Sequence, residues 1–196
     1  MSTALIVIDA QKVYTDRDSG LFSKGASETI GRINSLIEAF GKSRQPLFFV
    51  RHIHKSDGSD LGRMFDFSGE AEEDFNFKEG TTEVEYDDRL TRPRNTPEIV
   101  KNRYSAFVGT DLDERLRRAG VDTVVICGFM TNFCCESTAR DAHDRDYFVD
   151  FVLDATGTPG TDHLGQGEIR RIVGELLGAG YARIVSTKQL LRTLGK

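Results

Sequence analysis

The sequence predicts an α/β domain built around a parallel β-sheet with helices on both faces. Short runs that are apolar almost throughout recur along the chain, which is typical of strands buried on both faces of a sheet. Between them lie segments with apolar residues at intervals of three and four, as expected for helices that cover a sheet. The alternation of these two patterns favours a doubly wound fold.

Five apolar runs are predicted as strands, at residues 4–8, 47–53, 123–127, 147–153 and 182–185, and an extended segment is expected near residues 98–100. Four helices are expected, at residues 28–40, from Thr110 to Gly120, at 132–145 and at 168–177. Thr110 is a typical N-cap and Gly120 a typical helix stop. The first helix places its large apolar residues on one face: Ile30, Ile33, Leu36, Ile37 and Phe40.

Length and composition predict one domain over residues 1–196. A chain of 196 residues is long enough to bury one sizeable core. It is 38% hydrophobic and 29% charged, with a net charge of −5. The acidic balance argues against a nucleic-acid partner, and no apolar run approaches the roughly 20 residues that cross a membrane. Three cysteines, in a chain whose first residues do not resemble a secretory leader, predict free thiols and a cytoplasmic location.

Residues 55–97 fit none of these patterns, because acidic residues alternate there with Phe65, Phe67, Phe75 and Phe77. A structureless loop of that length is uncommon in a compact domain. We expect a partly ordered excursion that covers the substrate mouth or a subunit contact. The alternative is a solvated surface flap with a few buried aromatic side chains.

The chemically active side chains follow three different strands. Parallel strands end at one edge of the sheet, where ligands of doubly wound proteins bind, and Asp9, Lys101 and Cys134 all follow strands. If Thr131 or Asn132 caps the next helix, Cys134 lies in its first turn, where the helix dipole favours a thiolate and open N–H groups bind an oxyanion. Asp9 then serves as general base, and Lys101 lowers the pKa of the thiol.

Each of these residues also has a purely structural interpretation. A buried cysteine is usually inert packing, an acid after a strand often forms a turn, and most lysines are solvated. Among the histidines, His163 lies beyond the fifth strand and is an alternative base for Cys134. His143 falls on the opposite face of the predicted helix from Cys134, which excludes it if that helix forms.

A metal site is a further alternative. His52 and His54 stand two residues apart in a strand and point the same way, with Asp57 and Asp60 behind them. This spacing lacks a tight ligand motif, so packing or substrate contact is favoured, and no metal or other cofactor is expected.

Three segments resemble the isochorismatase-like cysteine hydrolases, which include nicotinamidases, N-carbamoylsarcosine amidases, and ureidoacrylate and biuret hydrolases. They are Val-Ile-Asp9-Ala-Gln11, Lys101-Asn-Arg-Tyr-Ser-Ala-Phe107 and Gly128-Phe-Met-Thr-Asn-Phe-Cys134, in the family's order. The resemblance implies a Rossmann-like three-layer αβα fold with a six-stranded parallel sheet. It also implies a triad of Asp9, Lys101 and Cys134, with Cys134 rather than Cys135 as the nucleophile.

Further expectations concern the surroundings of the nucleophile. The resemblance implies a cis peptide bond at Phe129–Met130 and an oxyanion hole formed by the N–H groups of Met130 and Cys134. We expect substrate contacts from Gln11, Tyr104, Phe129 and Asn132. The stretch Arg51-His52-Ile53-His54 departs from the Asp-x-His cluster of zinc-containing nicotinamidases.

The sequence therefore predicts cysteine-dependent hydrolysis of a C–N bond in a small amide, carbamoyl or ureido compound through an acyl-enzyme. Two alternatives stay open. One is vinyl-ether hydrolysis of isochorismate, although siderophore-type isochorismatases generally lack the cysteine. The other is a binding or redox protein that uses Cys134 and Cys135. A small-molecule substrate, no nucleic-acid or membrane partner, and a homodimer or homotetramer complete the expectations.

Overall fold

One all-parallel sheet organises the computed structural model, which describes residues 2–64 and 75–194. Its strands are β1 (Ser2–Ile8), β2 (Leu47–His52), β3 (Glu98–Lys101), β4 (Val121–Phe129), β5 (Phe148–Gly157) and β6 (Arg183–Val185). They lie side by side in the order β3-β2-β1-β4-β5-β6, so the strand order reverses between β1 and β4. The predicted Rossmann-like, six-stranded parallel sheet is confirmed.

Helices cover both faces of the sheet. One layer holds α1 (Lys12–Thr15), α2 (Ala26–Lys42) and α6 (Thr187–Leu194), and the other holds α3 (Leu112–Arg118), α4 (Glu136–His143) and α5 (Gln166–Gly178). Because successive strand residues point to opposite faces, Leu5 and Val7 pack towards α2 while Ile6 and Ile8 pack towards α3 to α5. The two cores explain why the strand runs are apolar throughout.

Two predicted helix starts differ in detail from the structure. The helix expected from Thr110 begins at Leu112 with Asp111 as its N-cap. The Thr110 hydroxyl donates to Ala106 O (2.6 Å) and accepts from Leu112 N (3.3 Å), so it contacts the first turn from one position before the cap. The helix expected from Asn132 begins as a π-helical turn, Thr131–Cys135, which no side chain caps. The Gly120 stop does form, with φ of 66°, and the buried face of α2 is the predicted one.

A glycine lets the two central strands approach at the point where the strand order reverses. Gly128 has φ of 125°, and a Cβ atom there would lie 1.9 Å from the carbonyl oxygen of Ile8. Only a residue without a side chain fits such a contact. The close approach brings the ends of β1 and β4 together.

Part of the 55–97 excursion lies against this same edge of the sheet. Gln11 forms an isolated antiparallel bridge with Tyr86, and His54 forms a parallel bridge with Lys78. Phe77 is buried, whereas Phe65 and Phe67 lie outside the described residues. The excursion's role as a cover for the substrate mouth or as a subunit contact stays a prediction. No helix of the described residues has the length and apolar content needed to cross a membrane.

Candidate active site

Asp9 ends β1 in a conformation that few residues other than glycine adopt. Its φ is 47°, in the left-handed region that aspartate tolerates better than most side chains. The backbone is fixed by hydrogen bonds from Asp9 N to Val50 O (3.0 Å) and from Gln11 N to Asp9 O (2.7 Å). The Asp9 side chain has no exposure to solvent. A carboxylate is thereby held inside the protein at the carboxyl end of the central strand.

Lys101, the last residue of β3, connects Asp9 with Cys134. Its Nζ lies 2.9 Å from Asp9 Oδ2 and 3.3 Å from Cys134 Sγ, and it donates to Arg103 O at 3.0 Å. These three partners match the three protons of an ammonium group. Lys101 is only 2% exposed, so its charge is balanced by this carboxylate rather than by water.

Cys134 lies in the π-helical turn that follows β4, and it is 1% exposed. The turn is closed by a hydrogen bond from Cys135 N to Met130 O (3.1 Å), the wide spacing that π-bulges often show at functional sites. The Phe129–Met130 peptide bond before it is cis, as the resemblance implied. Cys134 thus lies in the first turn after the strand, where the sequence predicts it.

Polar contacts fasten the segment after Lys101 to the helix after Cys134. Ser105 Oγ donates to Asp141 Oδ2 (2.6 Å). The Thr138 hydroxyl accepts from Ala106 N (3.0 Å) and donates to Cys134 O (2.6 Å). These contacts fix the spacing between lysine and cysteine. Sequence reasoning assigned these contacts no role, although Ser105 and Ala106 lie inside one of the segments that carried the resemblance.

Burial controls the protonation of the three groups. Desolvation raises the pKa of Cys134 to about 12, although the Lys101 ammonium works in the opposite direction. Desolvation also raises the pKa of Asp9, against the lowering effect of Lys101. Burial alone would lower the pKa of Lys101, but the charges of Asp9 and Cys134 outweigh it and raise that pKa. Lys101 therefore lowers the pKa of the thiol, as the sequence predicts, but desolvation has the larger effect.

The predicted substrate contacts fall into two groups. Gln11 Nε2 donates to His52 O (3.0 Å) and Val84 O (3.1 Å), and its Oε1 accepts from His52 N (2.8 Å). Phe129 is fully buried and stacks on Tyr14 at 5.5 Å. Both side chains thus hold the scaffold together, and substrate contact by them stays a prediction.

Tyr104 and Asn132 were predicted as substrate contacts, and both lie near Cys134. The Tyr104 ring packs against Phe133, the neighbour of Cys134, at 5.2 Å between centroids, and Phe133 is 37% exposed. Asn132 Oδ1 accepts from the Thr158 hydroxyl (2.9 Å). Substrate contact by these two residues stays a prediction.

The histidines divide between the site and the surface. His143 is exposed beside Asp144, and His163 lies on an exposed loop while Cys134 is buried, so neither is positioned as the base in this structure. His52 and His54 are fully buried with ring centroids 4.8 Å apart, pointing the same way as predicted. Sequence reasoning did not single out a further buried neighbour, Tyr14, whose raised pKa partly reflects Cys134 and Asp9.

Three donor atoms of a possible metal site lie close together beside Lys101. Within the described residues, one ligand atom each of Asp9, His52 and Cys134 lies within 4.8 Å of the others. The Lys101 ammonium already contacts both Asp9 and Cys134, so a metal cation at this place would meet a like charge. Asp57 is also no ligand for the histidines here, since it accepts from Ser59 N (3.0 Å). This donor set does not fit a metal ion.

Comparisons with known proteins agree on one family. The family model for the isochorismatase domain matches residues 3–189. Nicotinamidase 3 of Arabidopsis thaliana is 34% identical, over 97% of this chain and 88% of the relative. A ureidoacrylate amidohydrolase of Methylobacterium radiotolerans is 31% identical, over 87% of this chain and 73% of the relative.

A solved structure agrees with both sequence comparisons. The chain is similar to a cysteine hydrolase from Pseudomonas syringae pv. phaseolicola, with a TM-score of 0.91 and 30% identity, over 98% of this chain and 92% of the other. The similarity therefore extends over the sheet, both helical layers and the strand ends that carry Asp9, Lys101 and Cys134.

Proposed function

The chain belongs to the isochorismatase family, and on this premise we propose that it is a cysteine-dependent hydrolase that cleaves the C–N bond of a small amide, carbamoyl or ureido compound. The observation that carries this proposal is the buried Lys101 ammonium, which lies 2.9 Å from Asp9 Oδ2 and 3.3 Å from Cys134 Sγ. A carboxylate and a thiol on either side of one fixed cation provide a base, a nucleophile and a counter-charge.

The first step is proton transfer from Cys134 to Asp9. The raised pKa of both groups keeps the thiol protonated at rest and makes Asp9 a stronger base than an exposed carboxylate. When Asp9 takes the proton, the new thiolate faces the Lys101 ammonium, so charge moves within the site without a net change. The thiolate then attacks the carbonyl carbon of the substrate.

The second step expels the amine. The negative charge develops on the carbonyl oxygen, and backbone N–H groups at Met130 and Cys134 are suited to stabilise it. As the intermediate collapses, the C–N bond breaks and Asp9 returns its proton to the leaving nitrogen, which leaves an acyl-thioester on Cys134. Water attacks this thioester, Asp9 accepts a proton from the water, and the acid and the thiol are regenerated.

Two further considerations favour C–N hydrolysis over vinyl-ether cleavage. An acyl-enzyme requires a nucleophile, and Cys134 occupies the position from which one would attack, whereas vinyl-ether hydrolysis needs none. The relatives named above are, by name, a nicotinamidase and a ureidoacrylate amidohydrolase, both of which release a nitrogen compound. The proposal treats residues 1–196 as one such hydrolase domain acting on a small molecule.

The test is ammonia release from a panel of small amides, carbamoyl and ureido compounds. Wild type is compared with Cys134→Ala, and Cys135→Ala is the matched control because that neighbouring thiol is equally buried. We expect release by wild type and Cys135→Ala and loss of at least about a thousandfold in Cys134→Ala. Full activity of Cys134→Ala on the panel, or on isochorismate, would contradict a cysteine nucleophile.

A further inference from the structure

Two imidazole rings lie side by side at the carboxyl end of β2, next to the catalytic groups. His52 Nε2 and His54 Nε2 are 3.0 Å apart, and the His52 ring stacks on Phe77 at 4.3 Å and 9°. Neither histidine is exposed to solvent. At 3.0 Å the two nitrogens share a hydrogen bond, so one ring donates and the other accepts.

Asp60 decides which ring donates. Its Oδ1 lies 3.4 Å from His54 Nδ1, and its carboxylate is held in place by Lys55 N (3.0 Å) and Asn102 Nδ2 (3.1 Å). At this distance the contact is electrostatic rather than a hydrogen bond, and a carboxylate that faces Nδ1 favours the tautomer with the proton on Nδ1 and a lone pair at Nε2. His52 must then donate from Nε2. Burial lowers the pKa of both rings, which keeps them neutral.

Because His52 donates from Nε2, its other ring nitrogen, Nδ1, is an acceptor. In the part of the chain that the structure describes, His52 Nδ1 is buried and has no hydrogen-bond partner. Buried acceptors are rarely left unpaired, and those that are call for an explanation. A ring nitrogen of His52 also lies within 4.8 Å of both Asp9 and Cys134, so this ring forms part of the wall around the reacting atoms.

We propose that His52 is a substrate-selecting residue whose Nδ1 accepts a hydrogen bond from an N–H of the scissile amide or carbamoyl nitrogen. The Lys101 protons face Asp9, Cys134 and Arg103 O, so Lys101 is not the donor for this nitrogen, and a substrate N–H is suited to the role. His54 and Asp60 act through His52 as positioning residues that fix its tautomer. This proposal rests on the proposed amide hydrolysis.

The test compares substrates that differ at the scissile nitrogen, which carries N–H groups in one and methyl groups in the other, so the effect of added bulk is read from the matched control variant. Once the panel has identified a primary amide or carbamoyl substrate, kcat/KM is measured for it and for its N,N-dimethyl analogue. His52→Phe keeps a flat ring against Phe77 but removes both nitrogens, and His52→Asn keeps a polar group near the Nδ1 position. His143→Phe is the matched control, because His143 is exposed and remote from the triad.

We expect the preference of wild type for the N–H substrate to fall roughly three- to tenfold in His52→Phe, the range expected for loss of one neutral hydrogen bond. The preference should be largely retained in His52→Asn and unchanged in His143→Phe. Asp60→Asn, in which the fixed acceptor for His54 is replaced, should show an intermediate loss of preference. It serves as the second variant if His52→Phe does not fold.

Three results would overturn the inference. The first is an unchanged preference in a folded His52→Phe or Asp60→Asn enzyme. The second is an equal loss on both substrates, which would place His52 on a shared step such as thioester hydrolysis. The third is activity that EDTA removes and a divalent metal restores, which would make His52 a ligand. A wild type that releases no amine, or an active Cys134→Ala, would instead refute the amide hydrolysis itself.

Discussion

Replacing Lys101 with methionine removes the one charge that makes a buried aspartate tolerable. Methionine preserves much of the side-chain length, but Asp9, with no solvent exposure, loses the cation that lies 2.9 Å from its Oδ2. Removing one partner of a buried pair costs about 3–5 kcal/mol, because the other charge stays buried without compensation. Against a total stability of about 5–15 kcal/mol for a domain, the variant should be close to unfolding.

The pH dependence separates this explanation from a simple packing defect. Burial already raises the pKa of Asp9 in the wild type, and removal of Lys101 raises it further. Between the unfolded pKa, about 4, and this raised folded pKa, the folded state binds more protons than the unfolded state. Stability of Lys101→Met should therefore fall as pH increases through that window. Wild type should show a weaker decline.

The assay is urea unfolding followed by circular dichroism at several pH values between about 4 and 8. Lys42→Met is the control, because Lys42 is 74% exposed and pairs with Glu38 on the same helix, and its midpoint should match that of wild type. If Lys101→Met were within about 1 kcal/mol of wild type and no steeper with pH, Asp9 would not be a buried charge and the proposed electrostatics would be wrong.

Three further predictions test other parts of the site. Asp9→Asn should abolish amine release while the protein still folds, since Asn cannot take the Cys134 proton; retained turnover would remove Asp9 as the base. Alkylation of Cys134 by iodoacetamide should rise steadily from about pH 6 to about pH 9 without a plateau, because burial raises the thiol pKa to about 12; an inflection below about pH 8 would contradict this. Gly128→Ala should lower the melting temperature sharply, as its Cβ would lie 1.9 Å from Ile8 O, whereas Gly41→Ala, with nothing within 4 Å, should be neutral or stabilising.

The fold could be predicted from sequence because each strand is buried on both faces. A run such as Leu5–Ile6–Val7 supplies side chains to two cores, so the apolar pattern itself identifies a sheet covered by helices on both sides. The exact helix boundaries could not be predicted in the same way. Thr110 has the side chain of an N-cap and its hydroxyl accepts from Leu112 N, yet Asp111 is the N-cap residue and the helix begins at Leu112.

The candidate site could be located from sequence for a topological reason, since parallel strands bring their carboxyl ends to one edge and Asp9, Lys101 and Cys134 all follow strands. The protonation state could not be read from the same pattern. The helix turn and Lys101 favour the anion of Cys134, but complete burial opposes it, and only the structure shows which effect is larger. The sequence grouped His54 with Asp60 only as candidate metal ligands, and their direct contact depends on a loop conformation that the pattern does not give.

The most direct test of the central claim is mass spectrometry of the enzyme after rapid acid quenching during turnover of an active amide or carbamoyl substrate. The mechanism predicts a transient adduct with the mass of the acyl group, located on the peptide that contains Cys134 and present in Cys135→Ala. Turnover in which no adduct forms on Cys134, or an adduct that persists in Cys134→Ala, would contradict the covalent mechanism.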